Sequence, residues 1–171
     1  ESIEELEEIN ILCKKLKAKV DICLRVNPDV NADTHDKIAT GRSEDKFGIP
    51  YGNIRNVLEN YKNNKLINIT GLSIHIGSQI EKLSSFRLAF MKIRKQIISL
   101  VKNGYTISTL DLGGGIGIAY NEKSKVIDIK EYARLIEDFF SDLALKVIIE
   151  PGRFLVGASG IILSKVIRIK E

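Results

Sequence analysis

Three short stretches carry side chains and backbone with chemistry to offer: His75-Ile76-Gly77-Ser78, Gly113-Gly114-Gly115-Ile116-Gly117 and Glu150-Pro151-Gly152-Arg153. Each follows an apolar run. Consecutive glycines let a backbone approach a ligand closely and turn N–H groups toward it, forming an anion cradle. A plain tight turn is the bland alternative. A dinucleotide site needs GxGxxG opening a helix, and after Gly115 and Gly117 the third position holds Tyr120 with loop-like sequence around it. His75 reads either as a satisfied core histidine or, beside the small Gly77 and Ser78, as a shelf for a flat ring. Glu150 and Arg153 read either as an ion pair in a surface turn or as two ligand groups. In the second case the carboxylate keeps a heterocyclic nitrogen protonated and the guanidinium grips a phosphate or carboxylate with paired hydrogen bonds. Cradle, shelf, carboxylate and guanidinium together describe a pocket for a phosphorylated aromatic cation, a description that pyridoxal 5'-phosphate fits. No metal site is expected, because the only other histidine, His35, lies in a long polar loop and no cysteine pair stands near.

The elements that must position these groups follow from periodicity. Ser2 to Glu5 forms a capping box ahead of a helix with Ile3, Leu6, Ile9, Leu12, Cys13 and Leu16 on one face. Strands are expected at Val20–Val26, Ile67–Ile76, Ile107–Leu112 and Lys146–Ile149. Helices are expected over 52–63, through Phe86, Phe90, Ile93, Ile97 and Leu100, and from a second capping box at Asp128-Glu131 through Tyr132, Ile136 and Leu143. The stretch NADTHDKIATGRSEDKFGIP, about twenty residues, has little periodicity and reads as a functional or disordered loop. Alternation of strand and helix argues for parallel β/α units, and continuously apolar strands argue for burial on both faces. All three polar stretches then lie at C-terminal strand ends, where ligand groups collect in β/α barrels and open parallel sheets alike.

The bulk composition narrows the partners. The 171 residues are 44% hydrophobic and 28% charged, with a net charge of +4, enough for one domain with a sizeable core. Lysines such as Lys14, Lys15, Lys17, Lys19, Lys62 and Lys65 are scattered over helix faces rather than gathered in a stripe, so they read as solvated surface and not as a nucleic-acid site. An anionic small molecule remains a compatible partner. No apolar run approaches the roughly 20 residues that span a bilayer. Two cysteines, Cys13 and Cys23, without CxxC spacing make no disulfide framework, and a reducing cytoplasm is the expected location.

Four stretches in order and spacing, LRVNPDVNADTHDKIATGRSEDKFGIP, GLSIHIGSQI, LDLGGGIGI and EPGRFLV, closely resemble the diaminopimelate decarboxylase family among the fold-type III pyridoxal-phosphate decarboxylases. The ornithine branch usually reads HVGSG where this chain has His75 to Gln79, and lacks the NPxVxAxTHxxIxTG-like stretch at 27–41. The resemblance implies roughly the second half of a (β/α)8 barrel over 1–159, with 160–171 as the first strand of a C-terminal β domain. It implies that His75 stacks on the cofactor ring, that Ser78 lies by the phosphate, and that Gly113, Gly114 and above all Gly115 offer N–H groups to it. Glu150 pairs with the pyridine nitrogen. Pro151, Gly152 and Arg153 complete the phosphate site, and Arg153 also meets the substrate carboxylate. Lys46 resembles a lysine near the family's dimer interface, and a homodimer is implied for the full-length protein. The departures are as informative. The family's Schiff-base lysine, in a YAxKAN-like context, has no counterpart here, nor do the cysteine and tyrosine of the β domain. The expectation is an internal piece of an enzyme converting meso-2,6-diaminopimelate to L-lysine and carbon dioxide, inactive by itself. A decarboxylase of ornithine, arginine or another basic amino acid, and an inactive homologue acting as a binding partner, are the competing expectations.

Overall fold

A computed structural model describes residues 1–30, 47–122, 124 and 126–170. Lys46, His35 and most of the 27–41 stretch lie outside the described residues. Helix α1 (Ile3–Leu16) starts where Ser2 accepts a hydrogen bond from the Glu5 N–H at 3.2 Å, and ends at Lys17 in the left-handed region, φ 52°. It buries Leu6 and Cys13 and leaves Ile11, Leu12 and Leu16 exposed.

The chain then runs β1 (Val20–Asn27), β2 (Ile49–Pro50), a 3-10 turn and α2 (Ile54–Tyr61), β3 (Ile67–Ser73), α3 (Leu83–Lys102), β4 (Thr109–Asp111), α4 (Ile129–Phe140), β5 (Lys146–Ile148) and α5 (Gly152–Val156). The five strands form one parallel sheet in the order β2-β1-β3-β4-β5, an arc of β/α units whose edges among the described residues are β2 and β5. Register is tight where β3 meets β4: a Cβ on Gly71 would stand 2.2 Å from the Thr109 carbonyl oxygen.

Helices α3 and α4 cover one face. On α3, Phe86, Phe90, Ile93, Ile97 and Leu100 recur at three- or four-residue spacing and are all buried. On α4, Tyr132, Leu135 and Phe140 are buried. Their rings interlock, with Phe86 edge-on to Tyr132 at 5.0 Å and Phe90 edge-on to Phe140 at 5.5 Å. Arg94 closes the seam with a two-pronged contact to Asp142 at 2.6 and 2.7 Å.

Two expectations need correction. Strands β3 and β4 are shorter than their apolar runs: Ile74, Ile76 and Leu112 are buried past the ends of the paired strands, so the apolar pattern outlasts the strand. Glu150 to Arg153 is not only a turn, since α5 opens at Gly152. Residues 160–170 lie exposed and outside the sheet, with Ile161 and Ile162 at 84% and 96%.

Candidate functional site

The three polar stretches follow β3, β4 and β5, which are neighbours in the sheet, so parallel pairing alone delivers them to one edge. Hydrogen bonds then weave them together. The Ile74 N–H donates to the Asp111 carbonyl at 2.9 Å, the Leu112 N–H to the Ile148 carbonyl at 2.9 Å, and the Glu150 N–H to the Gly113 carbonyl at 2.8 Å. The pairing of the strands thus continues one or two residues past their ends, as backbone bonds between loops.

His75 is half-buried and joins the first stretch to the second. Its Nδ1 accepts from the Gly114 N–H at 3.2 Å. That bond assigns the proton of the neutral ring to Nε2. Burial pushes the imidazole below its ordinary value, and the nearby Arg25 guanidinium pushes it the same way. A neutral, oriented ring at a strand end suits stacking against a flat molecule.

The glycine run divides between internal packing and open donors. A Cβ on Gly113 would meet the Ile74 carbonyl oxygen at 2.3 Å, one on Gly114 the Glu150 oxygen at 2.0 Å, and one on Gly115 the Gly77 oxygen at 2.2 Å. These glycines are demanded by the neighbouring backbones before any ligand is considered, and Gly113 and Gly115 add positive φ of 67° and 99°. The Gly113 N–H goes to the Asp111 carboxylate at 2.8 Å and the Gly114 N–H to His75. The Gly115 N–H has no acceptor among the described residues. The tight-turn reading accounts for the Gly113 and Gly114 N–H groups, while that of Gly115 stays without an acceptor among the described residues.

At the third stretch Pro151 is half-buried, whereas Glu150, Gly152 and Arg153 are exposed. The Glu150 carbonyl accepts from the Gly152 N–H at 2.8 Å, while its carboxylate has no partner among the described residues. A Cβ on Gly152 would meet nothing within 4 Å, the reverse of the glycine run. Arg153 donates from Nη1 to the Tyr120 hydroxyl at 3.2 Å, so it is not paired with Glu150 in a surface turn. Ser78, at the end of the first stretch, is half-buried.

An open amide N–H, a guanidinium, a free carboxylate, a neutral imidazole and an empty approach over Gly152 form a donor set that fits a phosphorylated, protonated heterocycle. Sequence reasoning missed three contributors: Asp111, which pins Gly113; Gln79, whose side chain bonds Ile118; and Tyr120, which holds Arg153. Their only sequence signal is proximity to the motifs. A separate cavity of about 320 Å³ lies at the other end of β3 and β4, among Tyr61, Asn68, Thr70 and Tyr105, and no residue of the three stretches lines it.

The family model for the pyridoxal-dependent decarboxylases, pyridoxal binding domain, matches residues 1–157. This chain belongs to that family. The resemblance in its motifs is thereby borne out, pyridoxal phosphate is the cofactor of the fold, and the sheet is an arc of a β/α barrel. Among its relatives, diaminopimelate decarboxylase of Zymomonas mobilis is 39% identical over 172 residues, covering 100% of this chain and 41% of that protein. That of Aquifex aeolicus is 37% identical, again over 41% of its length. The crystal structure of the Helicobacter pylori diaminopimelate decarboxylase complexed with L-lysine superposes with a TM-score of 0.84 at 35% identity, covering 90% of this chain and 39% of that one. The chain thus spans about two fifths of the length of these relatives.

Proposed function

We propose that this chain supplies the cofactor-gripping part of an enzyme that decarboxylates meso-2,6-diaminopimelate to L-lysine and carbon dioxide. The observation that carries the reading is the joining of three adjacent strand ends around groups left open: the Gly115 N–H, the Glu150 carboxylate and the space over Gly152. The relatives' shared name selects the substrate. In this reading Gly115, Ser78 and Arg153 hold the phosphate, with Gly113 and Gly114 shaping the backbone and Pro151 setting where α5 begins. Arg153, at the exposed rim, also meets the substrate carboxylate. Neutral His75 lies against the ring. Glu150 accepts the proton-bearing ring nitrogen and keeps it charged. Pyridoxal phosphate, when bound, withdraws the electron pair left on carbon as carbon dioxide departs.

The remaining parts of the reading concern the full-length protein. Residues 160–170 begin a β domain that pairs their apolar row, the lysine that bears the cofactor and the cysteine and tyrosine completing the site lie outside this chain, and the protein works as a cytoplasmic homodimer. Among the described residues, no helix is long and apolar enough to cross a membrane.

The test is carbon dioxide release by the full-length gene product with meso-diaminopimelate, ornithine, arginine and lysine in parallel. Release from diaminopimelate alone is expected. Release from another of the four keeps the cofactor chemistry and replaces the substrate. No release, together with no cofactor absorbance, replaces catalysis by a binding role.

A further inference from the structure

Gln79 has a backbone conformation that its residue type does not favour: φ is 56°, the left-handed region that glycine takes freely. What accompanies that conformation is a clamp. The neighbouring Ile80 forms an isolated parallel bridge with Ile116: its N–H donates to the Gly115 carbonyl at 2.8 Å, and its carbonyl accepts from Gly117 at 3.0 Å. The Gln79 side chain extends that ladder by one residue. Its Nε2 donates to the Ile118 carbonyl at 2.6 Å and its Oε1 accepts from the Ile118 N–H at 3.3 Å. Toward Ile118 a primary amide does what a further backbone peptide would do, giving and taking one hydrogen bond, and its Nε2 also donates to the Glu81 carboxylate at 3.5 Å.

The loop so held reaches the other side of the site. Ile118 packs on the turn after α5, where a Cβ on Gly157 would stand 2.4 Å from its Cδ1. Two residues further on, the Tyr120 hydroxyl takes the Arg153 guanidinium. The backbone of 115–118 therefore carries at one end the open N–H of Gly115 and leads at the other to Arg153, and the clamp from Gln79 fixes the stretch between them.

We infer that Gln79 is a positioning residue for phosphate, setting the distance between the Gly115 N–H and the Arg153 guanidinium without touching the ligand itself. The inference rests on the reading that Gly115, Ser78 and Arg153 grip the phosphate of the cofactor. It makes a prediction that a general structural role does not: weakening the clamp costs affinity for a phosphorylated ligand and leaves the unphosphorylated one alone.

The experiment uses apo full-length protein and compares binding of pyridoxal phosphate with that of pyridoxal, which lacks the phosphate. Gln79→Gly removes the clamp and relieves the backbone; Gln79→Glu keeps size and the acceptor but turns a carboxylate oxygen toward the Ile118 carbonyl. Both are expected to raise the dissociation constant for pyridoxal phosphate about tenfold, with pyridoxal unchanged. The melting temperature of Gln79→Gly should stay within about 2 °C of the parent. Phe140→Leu, a core change remote from the loop, should lower the melting temperature and move neither constant. Unchanged pyridoxal phosphate affinity in both Gln79 variants overturns the inference. An equal loss for pyridoxal, or an equal loss in Phe140→Leu, also overturns it by making the effect structural. A parent protein that binds no pyridoxal phosphate overturns the underlying cofactor reading as well, and is told apart by failing before any substitution is made.

Discussion

Gly113 to Gly115 and Gly152 are the same residue type at adjacent strand ends, yet they are glycine for opposite reasons. The first three are enclosed: every added Cβ would fall 2.0–2.3 Å from a carbonyl oxygen of Ile74, Glu150 or Gly77. Gly152 faces open space. A glycine-rich motif at a strand end need not be a ligand motif throughout. Part of it lets three strand ends pack within backbone distance, and only the remainder, here the Gly115 N–H and the surface over Gly152, is left for a guest.

That contrast can be broken experimentally, beginning with its strongest prediction. Gly114→Ala should cost about 3 kcal/mol in urea unfolding, the upper range for overpacking, because its methyl would meet the Glu150 oxygen at 2.0 Å. A loss below about 0.5 kcal/mol would show that the strand ends can separate at little expense and that the enclosed reading is wrong. Next, Glu150→Gln should leave unfolding unchanged, since the carboxylate has no partner among the described residues, while decarboxylation by the full-length enzyme falls about 10–100-fold through loss of a charged hydrogen bond. Equal losses of stability and rate would make Glu150 structural.

A smaller effect follows from His75, which bridges the enclosed and open parts. Its folded value is lowered, chiefly by burial, so the folded state favours the neutral ring. The stabilising contribution is therefore fully present above the unfolded imidazole value of about 6.5 and is lost as pH falls through the lower folded value, when the protonated Nδ1 can no longer accept from Gly114. Stability should decline on that acid side, and His75→Asn should flatten this part of the profile. An unchanged slope in the variant would assign the acid sensitivity to other groups. Smallest of all in stability is Gly152→Ala. Its methyl meets nothing, so unfolding should shift by less than about 0.5 kcal/mol, whereas cofactor affinity should fall because the approach is narrowed. An affinity equal to the parent's would move the ligand away from α5.

Much of the architecture is legible from pattern. The 3.6-residue spacing on α3 and α4 and the apolar runs of β1, β3, β4 and β5 correspond to elements of the structure, since burial of one face is a local property of the chain. Strand β2 escaped notice because two residues, Ile49 and Pro50, are too few to show alternation. Helix α5 escaped it because Pro-Gly reads as a turn, although proline followed by a short helix is an ordinary start. Among site residues, the grouping of the three stretches at C-terminal strand ends is legible, and their adjacency follows once the strands are ordered.

Residue types and their spacing set the repertoire: which residues could carry charge, which backbone could lie close, which faces had to be buried, and which family the four motifs belong to. How that repertoire is divided depends on contacts made in the folded chain. The bond from Gly114 to His75 spans 39 residues, as does the clamp from Gln79 to Ile118, and Arg153 finds Tyr120 across 33. Such contacts have no period and no local propensity. They exist because parallel strands bring distant loops to one edge of the sheet, where each unsatisfied donor or acceptor must find a partner or be left open for a ligand.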